Sequence, residues 1–504
     1  MTSIKRRSRT PPQGTPPYPT ILHITVIINP GQLNAYSGFT LGTHIAMGQR
    51  RHKVLQAMFI QPMMEDAGTL EKDTLRDHAP ENDLARTGIN NEDQLKRPEQ
   101  KQRSPSQLGL EQLPNELLSY IISFLDVEPP STQKLNQDPS LELTVSEVKA
   151  LKTLSRTSHF FRQISLPRLF RYSRVKTISY KVLVNDHLHW VAFFIDMIES
   201  YLSFLRNNNI LRHVESLVVY IDTPPSDALR EIVTVQKATS IWQCILPHIN
   251  PQSVTIIGEP LYLARSMLCG LSILHQWAFD MPIQIVRVSR SPGPSNPAEH
   301  AHDPSTAGLL DARPWTHLSL NEGSALPAYR SYEYYLKITP SLLGTRPRET
   351  VSPPLLALSS TLTSLHYTAT FPFYSHVDDV LKYAKAMPLL EKLSLQLVPG
   401  EESTAFDDPT RTAKVSLEDC WLEVDTGYEL VVHAVVEMGR REGGRLRVFE
   451  SWDCGVEDVK VGLERRFEEL VAFVGWRCCG VGVWSCCGDA ESKWEKCTEV
   501  PGWV

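Results

Sequence analysis

The sequence predicts a protein of mixed α and β structure, in which a small helical unit lies between a polar leader and a larger α/β domain. Three observations support this prediction. Residues 1–107 lack sustained hydrophobic periodicity, residues 108–171 carry apolar side chains at helical spacing, and helical segments alternate with strand-like runs after residue 180. A chain of 504 residues has room for two or three domains, at roughly 100–200 residues per domain.

Composition narrows the class of protein and its partners. The hydrophobic content of 42% and the charged content of 21% are ordinary for a soluble globular chain. A formal charge of −6 provides no basic field, so we expect no nucleic-acid partner. No apolar run approaches the ~18 residues of a membrane helix, so we expect no membrane partner. Nine cysteines without a compact framework in the middle of the chain favour a reducing compartment, either cytoplasmic or nuclear.

The leader, residues 1–107, contains proline-rich and polar runs such as RTPPQGTPPYP. Such a composition cannot bury enough apolar area to offset chain entropy, so it predicts disorder. The basic cluster Lys5-Arg6-Arg7 fits a nuclear-import signal, although three adjacent basic residues are also common by chance.

The helical unit is predicted to begin near Leu110. Pro114 suits a first helical position, because proline has no N–H to satisfy and its φ is preset. The helix must end before Pro129-Pro130. Between these prolines the apolar residues follow helical spacing: Leu117, Leu118, Ile121, Ile122, Phe124 and Leu125. A polar insert, 127–144, precedes a second helix and a third helix that Ser158 can cap.

The larger domain, residues 172–475, repeats one pattern: a bulky residue, two spacers, a bulky residue, one spacer and a bulky residue. It occurs at Val214–Val219, Trp315–Leu320, Leu362–Tyr367 and Leu390–Leu395. This is the strand signature of leucine-rich repeats, in which each repeat contributes one strand to a common face. Regular repeats recur every 20–29 residues or so, whereas the central leucines here lie 101, 47 and 28 residues apart. The pattern therefore predicts an irregular leucine-rich-repeat-like α/β solenoid, with an irregular α/β domain as the alternative.

The helical unit resembles an F-box, the module that docks on the Skp adaptor of cullin-based ubiquitin ligases. The first helix of that family is matched by Leu113-Pro114-Asn115-Glu116-Leu117 and the apolar residues that follow. The second and third helices are matched by the stretch Leu151 to Phe161. Leu166 to Val175 resembles the segment that leads from an F-box into a leucine-rich-repeat-like domain. The resemblance covers about an eighth of the chain and implies a three-helix fold over residues 108–171.

The resemblance also implies which residues contact the adaptor. They are Leu113, Pro114, Leu117, Ile121, Leu125, Leu151, Leu154 and Phe161. Apolar surface on more than one side of the first helix exceeds what two small helices can cover, and this favours a helix-in-groove partner. The alternative is that some of these side chains form the core of the unit itself.

Catalytic motifs are missing from the sequence. It contains no phosphate-binding loop, no dinucleotide fingerprint, no nucleophile elbow and no HExxH pair. The pairs His187/His189 and His300/His302 are more typical of solvated histidines than of metal ligands. We therefore expect no enzymatic activity and no cofactor.

The C-terminal segment, residues 476–504, is rich in cysteine and glycine. Zinc sites favour two cysteines separated by two to four residues, whereas Cys478-Cys479 and Cys486-Cys487 are vicinal pairs. With Cys497 they are interpreted as oxidation-prone free thiols in a loose tail rather than as a metal site.

The functional hypothesis is a substrate-recognition subunit of a Skp–cullin–F-box ubiquitin ligase. The F-box would hold the adaptor, and through it a cullin, while the α/β domain holds a target protein. This role is positional and needs no catalytic residue. The alternatives are an F-box scaffold that engages no cullin and an unrecognised enzyme within residues 180–480. No residue pattern identifies the target protein.

Overall fold

The computed structural model describes residues 110–144, 148–177, 179–184, 187–192, 194–221, 241–271, 275–279, 283–291, 308–343, 358–400, 403, 405–407, 409–440, 445–471 and 476–486. The leader predicted to be disordered, including Lys5-Arg6-Arg7, lies outside these ranges. His300, His302, Cys487 and Cys497 also lie outside them. The described chain has the mixed α and β composition that the sequence predicts.

The helical unit contains a 3₁₀ turn at Leu110–Gln112 followed by α1 (Asn115–Ser123), α2 (Pro130–Gln133), α3 (Lys149–Leu154) and α4 (His159–Leu169). Helices α1, α3 and α4 correspond to the three expected from the sequence. The Ser158 hydroxyl caps α4 by accepting a hydrogen bond of 3.2 Å from the Phe161 amide. The short helix α2 lies inside the insert, where the sequence indicated only a polar connection.

The remaining elements form an open sheet with helices packed against it. The strands are β1 (Tyr172–Thr177), β2 (Ser179–Val184), β3 (His187–Ala192), β4 (Ser216–Ile221), β5 (Ser253–Gly258), β6 (Gln284–Ser289), β7 (His317–Ser324), β8 (Ser364–Thr370), β9 (Lys392–Gln396), β10 (Val448–Ser451), β11 (Trp476–Gly480) and β12 (Val483–Cys486). The helices are α5 (Phe194–Asn207), α6 (Pro260–Ser266), α7 (Tyr374–Lys385), α8 (Pro409–Thr412), α9 (Leu417–Arg440) and α10 (Glu457–Val471).

Strand order in the large sheet nearly follows the order of the chain. The described strands run β1-β4-β5-β6-β7-β8-β9-β10-β12-β11, and β2 and β3 form a separate antiparallel hairpin. Most neighbours are parallel, but β6 is antiparallel to both β5 and β7. The terminal strands β12 and β11 also pair antiparallel. These reversals depart from the all-parallel ladder of a regular leucine-rich-repeat solenoid.

The repeated sequence pattern forms the buried face of this sheet, which we call the first face. Its paired bulky residues stand in two rows that cross the strands. One row is Leu217, Val254, Val288, Leu318, Leu365, Leu393, Phe449 and Trp484, and the other is Val175, Val219, Ile256, Val286, Leu320, Tyr367 and Leu395. Side chains of α5, α6, α7, α9 and α10 belong to the same hydrophobic cluster, so helices cover the first face.

Two boundaries differ from those expected. The apolar pattern from Trp190 to Leu205 predicts a helix over that whole stretch, but the helix begins at Phe194, because residues 187–192 pair with β2 as strand β3. The folded region also continues beyond residue 475, since β11 and β12 extend the large sheet. Trp484 is only 2% exposed and stacks on Phe467 with ring centroids 4.5 Å apart. Its indole supplies the apolar area that the surrounding glycines and cysteines lack.

No helix in the described part of the chain combines the length and the hydropathy that crossing a bilayer requires.

Candidate docking surface and sheet faces

Helix α1 turns large apolar side chains to solvent. Leu117, Tyr120, Ile121 and Phe124, which we call the α1 stripe, share one side of the helix because they lie three or four residues apart. Their exposed fractions are 51%, 64%, 43% and 70%. The rings of Tyr120 and Phe124 meet edge to face, with centroids 4.9 Å apart. Half or more of this apolar surface is therefore in contact with water in the isolated chain.

The opposite side of α1 holds the helical unit together. Ile122 lies in one hydrophobic cluster with Leu151 of α3 and Leu169 of α4, and each of these three side chains is buried. Leu118 is also buried. The packing of the helical unit therefore does not depend on the α1 stripe.

The eight predicted adaptor contacts fall into three groups. Pro114, Leu117 and Ile121 are exposed; Leu113, Leu125 and Leu154 are half-buried; Leu151 and Phe161 are buried. The last two side chains belong to the packed interior and offer no surface to a partner in this conformation. Tyr120 and Phe124 were not among the eight, although their spacing from Leu117 places them on the same side of the helix.

Ionic contacts join the helical unit to the sheet at the start of β1. The carboxylate of Asp126 lies 3.6 Å from the guanidinium groups of both Arg168 and Arg171. Arg171 Nε also donates a hydrogen bond of 2.7 Å to Glu215 Oε2, just before β4. Arg171 therefore links Asp126, which follows α1, to Glu215, which lies beside the sheet.

The insert 127–144 packs on the other face of the sheet, which we call the second face. Leu143 is buried against Val218, Tyr220, Ile257 and Ile285 of strands β4, β5 and β6. The connection predicted as a polar surface loop is therefore an apolar contact between the helical unit and the sheet.

The side chain of Asn321 of β7 binds the backbone of the same insert. Its Nδ2 donates hydrogen bonds of 2.7 Å to the carbonyl oxygens of Leu135 and Gln137. The pairing of β7 with β8 is irregular between Asn321 and Ser324, and Gly323 there has a φ of +76°. A β-bulge of this kind re-aims neighbouring side chains.

Glu322, next to Asn321, lies in a buried polar network. Its Oε2 accepts a 2.8 Å hydrogen bond from the Tyr367 hydroxyl and lies 2.7 Å from His376 Nε2. The Ser341 hydroxyl donates to Oε1. All four side chains are buried and partnered, so we interpret this network as a structural tie between β7, β8 and α7.

Beyond the insert the second face carries a group of basic side chains. We call Arg287, His317 and Lys392 the basic patch. Burial lowers the pKa of Arg287, and the carboxylate of Glu128 acts against that effect. Burial, and then the positive charges of Lys392 and Arg287, lower the pKa of His317. Arg287 and His317 are thus in surroundings that disfavour their charged forms.

The patch is bordered by Glu450 on β10. Its Oε2 lies 3.0 Å from Lys392 Nζ and accepts a 2.8 Å hydrogen bond from the Ser394 hydroxyl. Beyond it, the exposed indole of Trp452 meets the ring of His366 edge to face, with centroids 5.8 Å apart. Burial lowers the pKa of His366 to about 4. Sequence reasoning named none of these residues, because register brings them together from five separate strands and turns.

Within the described ranges no group of three His, Cys, Asp or Glu residues could hold a metal ion. Cys478 and Cys479 are exposed thiols on β11, and Cys486 is half-buried on β12. His187 and His189 both lie in β3.

Comparison of the chain with protein-family models, with curated proteins and with solved structures gave no match. The function proposed below therefore rests on the α1 stripe and on the two faces of the sheet.

Proposed function

We propose that the chain is the substrate-recognition subunit of a Skp–cullin–F-box ubiquitin ligase, acting in the cytoplasm or nucleus. The α1 stripe would bind the Skp adaptor, and the sheet domain would bind a protein target. The observation that carries the proposal is the exposure of four large apolar side chains on one side of α1.

The energetics of the α1 stripe suit a helix-in-groove contact. Fully burying one exposed large apolar side chain contributes about 1.5–3 kcal/mol. Because the four side chains are 43–70% exposed, burying what remains of them would contribute about 3–7 kcal/mol in total. This can offset the lower part of the cost of association, which is roughly 4–15 kcal/mol. A stripe at positions i, i+3, i+4 and i+7 is also the arrangement by which an amphipathic helix fills an apolar groove.

The junction between the helical unit and the sheet supports a positional role. The contacts of Leu143, Asn321 and Arg171 would make the two parts move together. An adaptor bound to α1 would then hold the sheet in a defined orientation. Raising the local concentration of a target in this way needs no catalytic residue in the chain.

The direct test is the binding of purified chain to purified Skp adaptor. Leu117→Asp and Ile121→Asp each place a charge in the centre of the proposed contact, where burying it without a partner is costly. We expect either change to raise the Kd by about 100-fold or more.

Gln163→Asp is the matched control, because Gln163 is exposed on α4 and lies outside the α1 stripe. We expect its Kd to stay near that of the wild type. Absence of binding by the wild type, or equal binding by all variants, would contradict the proposal.

A further inference from the structure

The basic patch brings together side chains from three strands of the second face. Arg287 of β6 stands opposite Ser319 of β7. His317 of β7 stands opposite Ser364 of β8, and Ser364 stands opposite Lys392 of β9. Because neighbouring strands are about 4.8 Å apart, the three basic side chains lie around the two serines within roughly three strand spacings.

Two carboxylates of the chain act on the cations of the patch. Lys392 pairs with Glu450, and the carboxylate of Glu128 acts on Arg287, while the positive charges of Lys392 and Arg287 lower the pKa of His317. Arg287 Nε is buried and has no hydrogen-bond partner in the described part of the chain. A buried donor left without an acceptor is unfavourable, so an acceptor supplied from outside would be stabilised here.

The donors of the patch match the chemistry of an oxyanion. A guanidinium presents a planar fork of N–H groups that pairs with two oxygens of a phosphate or carboxylate. Lys392 adds a second cation, and the hydroxyls of Ser319 and Ser364 are further donors.

The insert and an exposed aromatic ring border the patch. The insert contacts strands β4, β5 and β6 through Leu143 and β7 at Asn321, two residues beyond Ser319. At the other border the indole of Trp452 is 48% exposed. The half-buried side chains of the patch thus lie between the insert and an exposed aromatic ring.

We propose that the basic patch is a binding site for an oxyanion, a phosphate or carboxylate group carried by a protein ligand. This extends the proposed function, because it names the chemistry by which the sheet would hold a target. The anion site does not depend on adaptor binding. It is tested on the chain alone, so its failure and the failure of adaptor binding are separate results.

The experiment follows the melting temperature of the purified full chain as inorganic phosphate is added, with sodium chloride at equal ionic strength as reference. A ligand that binds only the folded state stabilises it by RT ln(1 + [L]/Kd), so the melting temperature rises with the logarithm of the anion concentration once that concentration exceeds the Kd. A parallel titration with acetate separates a preference for phosphate from a preference for carboxylate. We expect one of the two anions to raise the melting temperature above the sodium chloride reference in this way.

Three variants test whether the rise in melting temperature depends on the basic patch. Arg287→Met should weaken the apparent affinity about tenfold or more. Glu128→Gln, which removes a carboxylate that acts on Arg287, should strengthen it. Arg174→Met is the matched control, since Arg174 is exposed on the same face, three strands away from Arg287, and its affinity should not change.

A larger response to phosphate would identify a phosphorylated side chain as the ligand group, and a larger response to acetate a carboxylate. If neither anion raised the melting temperature above the sodium chloride reference, the proposal would be overturned. An undiminished rise in an Arg287→Met protein that melts cooperatively without anion would overturn it as well.

Discussion

The burial of His366 makes the stability of the fold depend on pH. Burial lowers its pKa to about 4, so the folded chain resists protonation that the unfolded chain accepts below about pH 6.5. The unfolded state therefore binds more protons between these values, and stability must fall as the pH drops from about 6.5 to 4. The charges of Glu450 and Lys392 act on the ring in opposite directions.

We expect His366 to contribute about 1–2 kcal/mol to the loss of unfolding free energy between pH 7 and pH 5. In His366→Gln this contribution should disappear, as measured by urea denaturation at the two pH values. His433→Gln, at an exposed position of α9, should lose as much stability as the wild type. An unchanged pH dependence in His366→Gln would show that the ring is not held neutral.

Single residues also show where sequence reasoning stops. Leu117 and Ile121 could be placed on the open side of α1 from spacing, because helical period decides which side chains share a face. Leu151 and Phe161 could not be assigned to the core, since burial depends on how α3 and α4 pack. Asn321 could not be found at all, because its partners Leu135 and Gln137 lie far away in the sequence.

The sheet elements were predictable where the hydrophobic pattern was strong. The repeated bulky residues at Leu318/Leu320, Leu365/Tyr367 and Leu393/Leu395 do form strands with their side chains on one buried face. Strand direction was not predictable, since β6 carries the same alternation whether it runs parallel or antiparallel. The insert was misjudged because only four of its side chains are aliphatic, prolines aside, and the contact partners of Leu143 lie on distant strands.

The β11–β12 hairpin yields a prediction at the scale of an element. Trp484 is buried in a stack with Phe449 and Phe467, whose ring centroids lie 5.5 and 4.5 Å from its own. Trp484→Ala should lower the free energy of unfolding by about 3–5 kcal/mol, because it leaves a cavity beneath the sheet.

Val481→Ala is the control for this change, since Val481 is exposed at the turn of the same hairpin. Chemical denaturation of both variants provides the comparison. If Trp484→Ala were no more destabilising than Val481→Ala, the hairpin would be a dispensable tail, as the sequence alone suggested.

At the scale of the molecule, the two proposed binding surfaces belong to parts of the chain that contact each other. The α1 stripe belongs to the helical unit and the basic patch to the sheet. Leu143, Asn321 and the ionic contacts of Arg171 lie between them. The helical unit and the mixed class of the fold were predictable from sequence, whereas the junction and the patch depend on contacts between distant segments. The central claim is that this arrangement links a target to a cullin through the adaptor.

That claim is tested most directly by isolating the full chain from cells and measuring how much Skp adaptor and cullin it retains. We predict that the wild type and Gln163→Asp retain both proteins in equal proportion, and that Ile121→Asp retains neither. Adaptor without cullin would contradict the ligase account and favour a scaffold. Full retention by Ile121→Asp would contradict docking through α1.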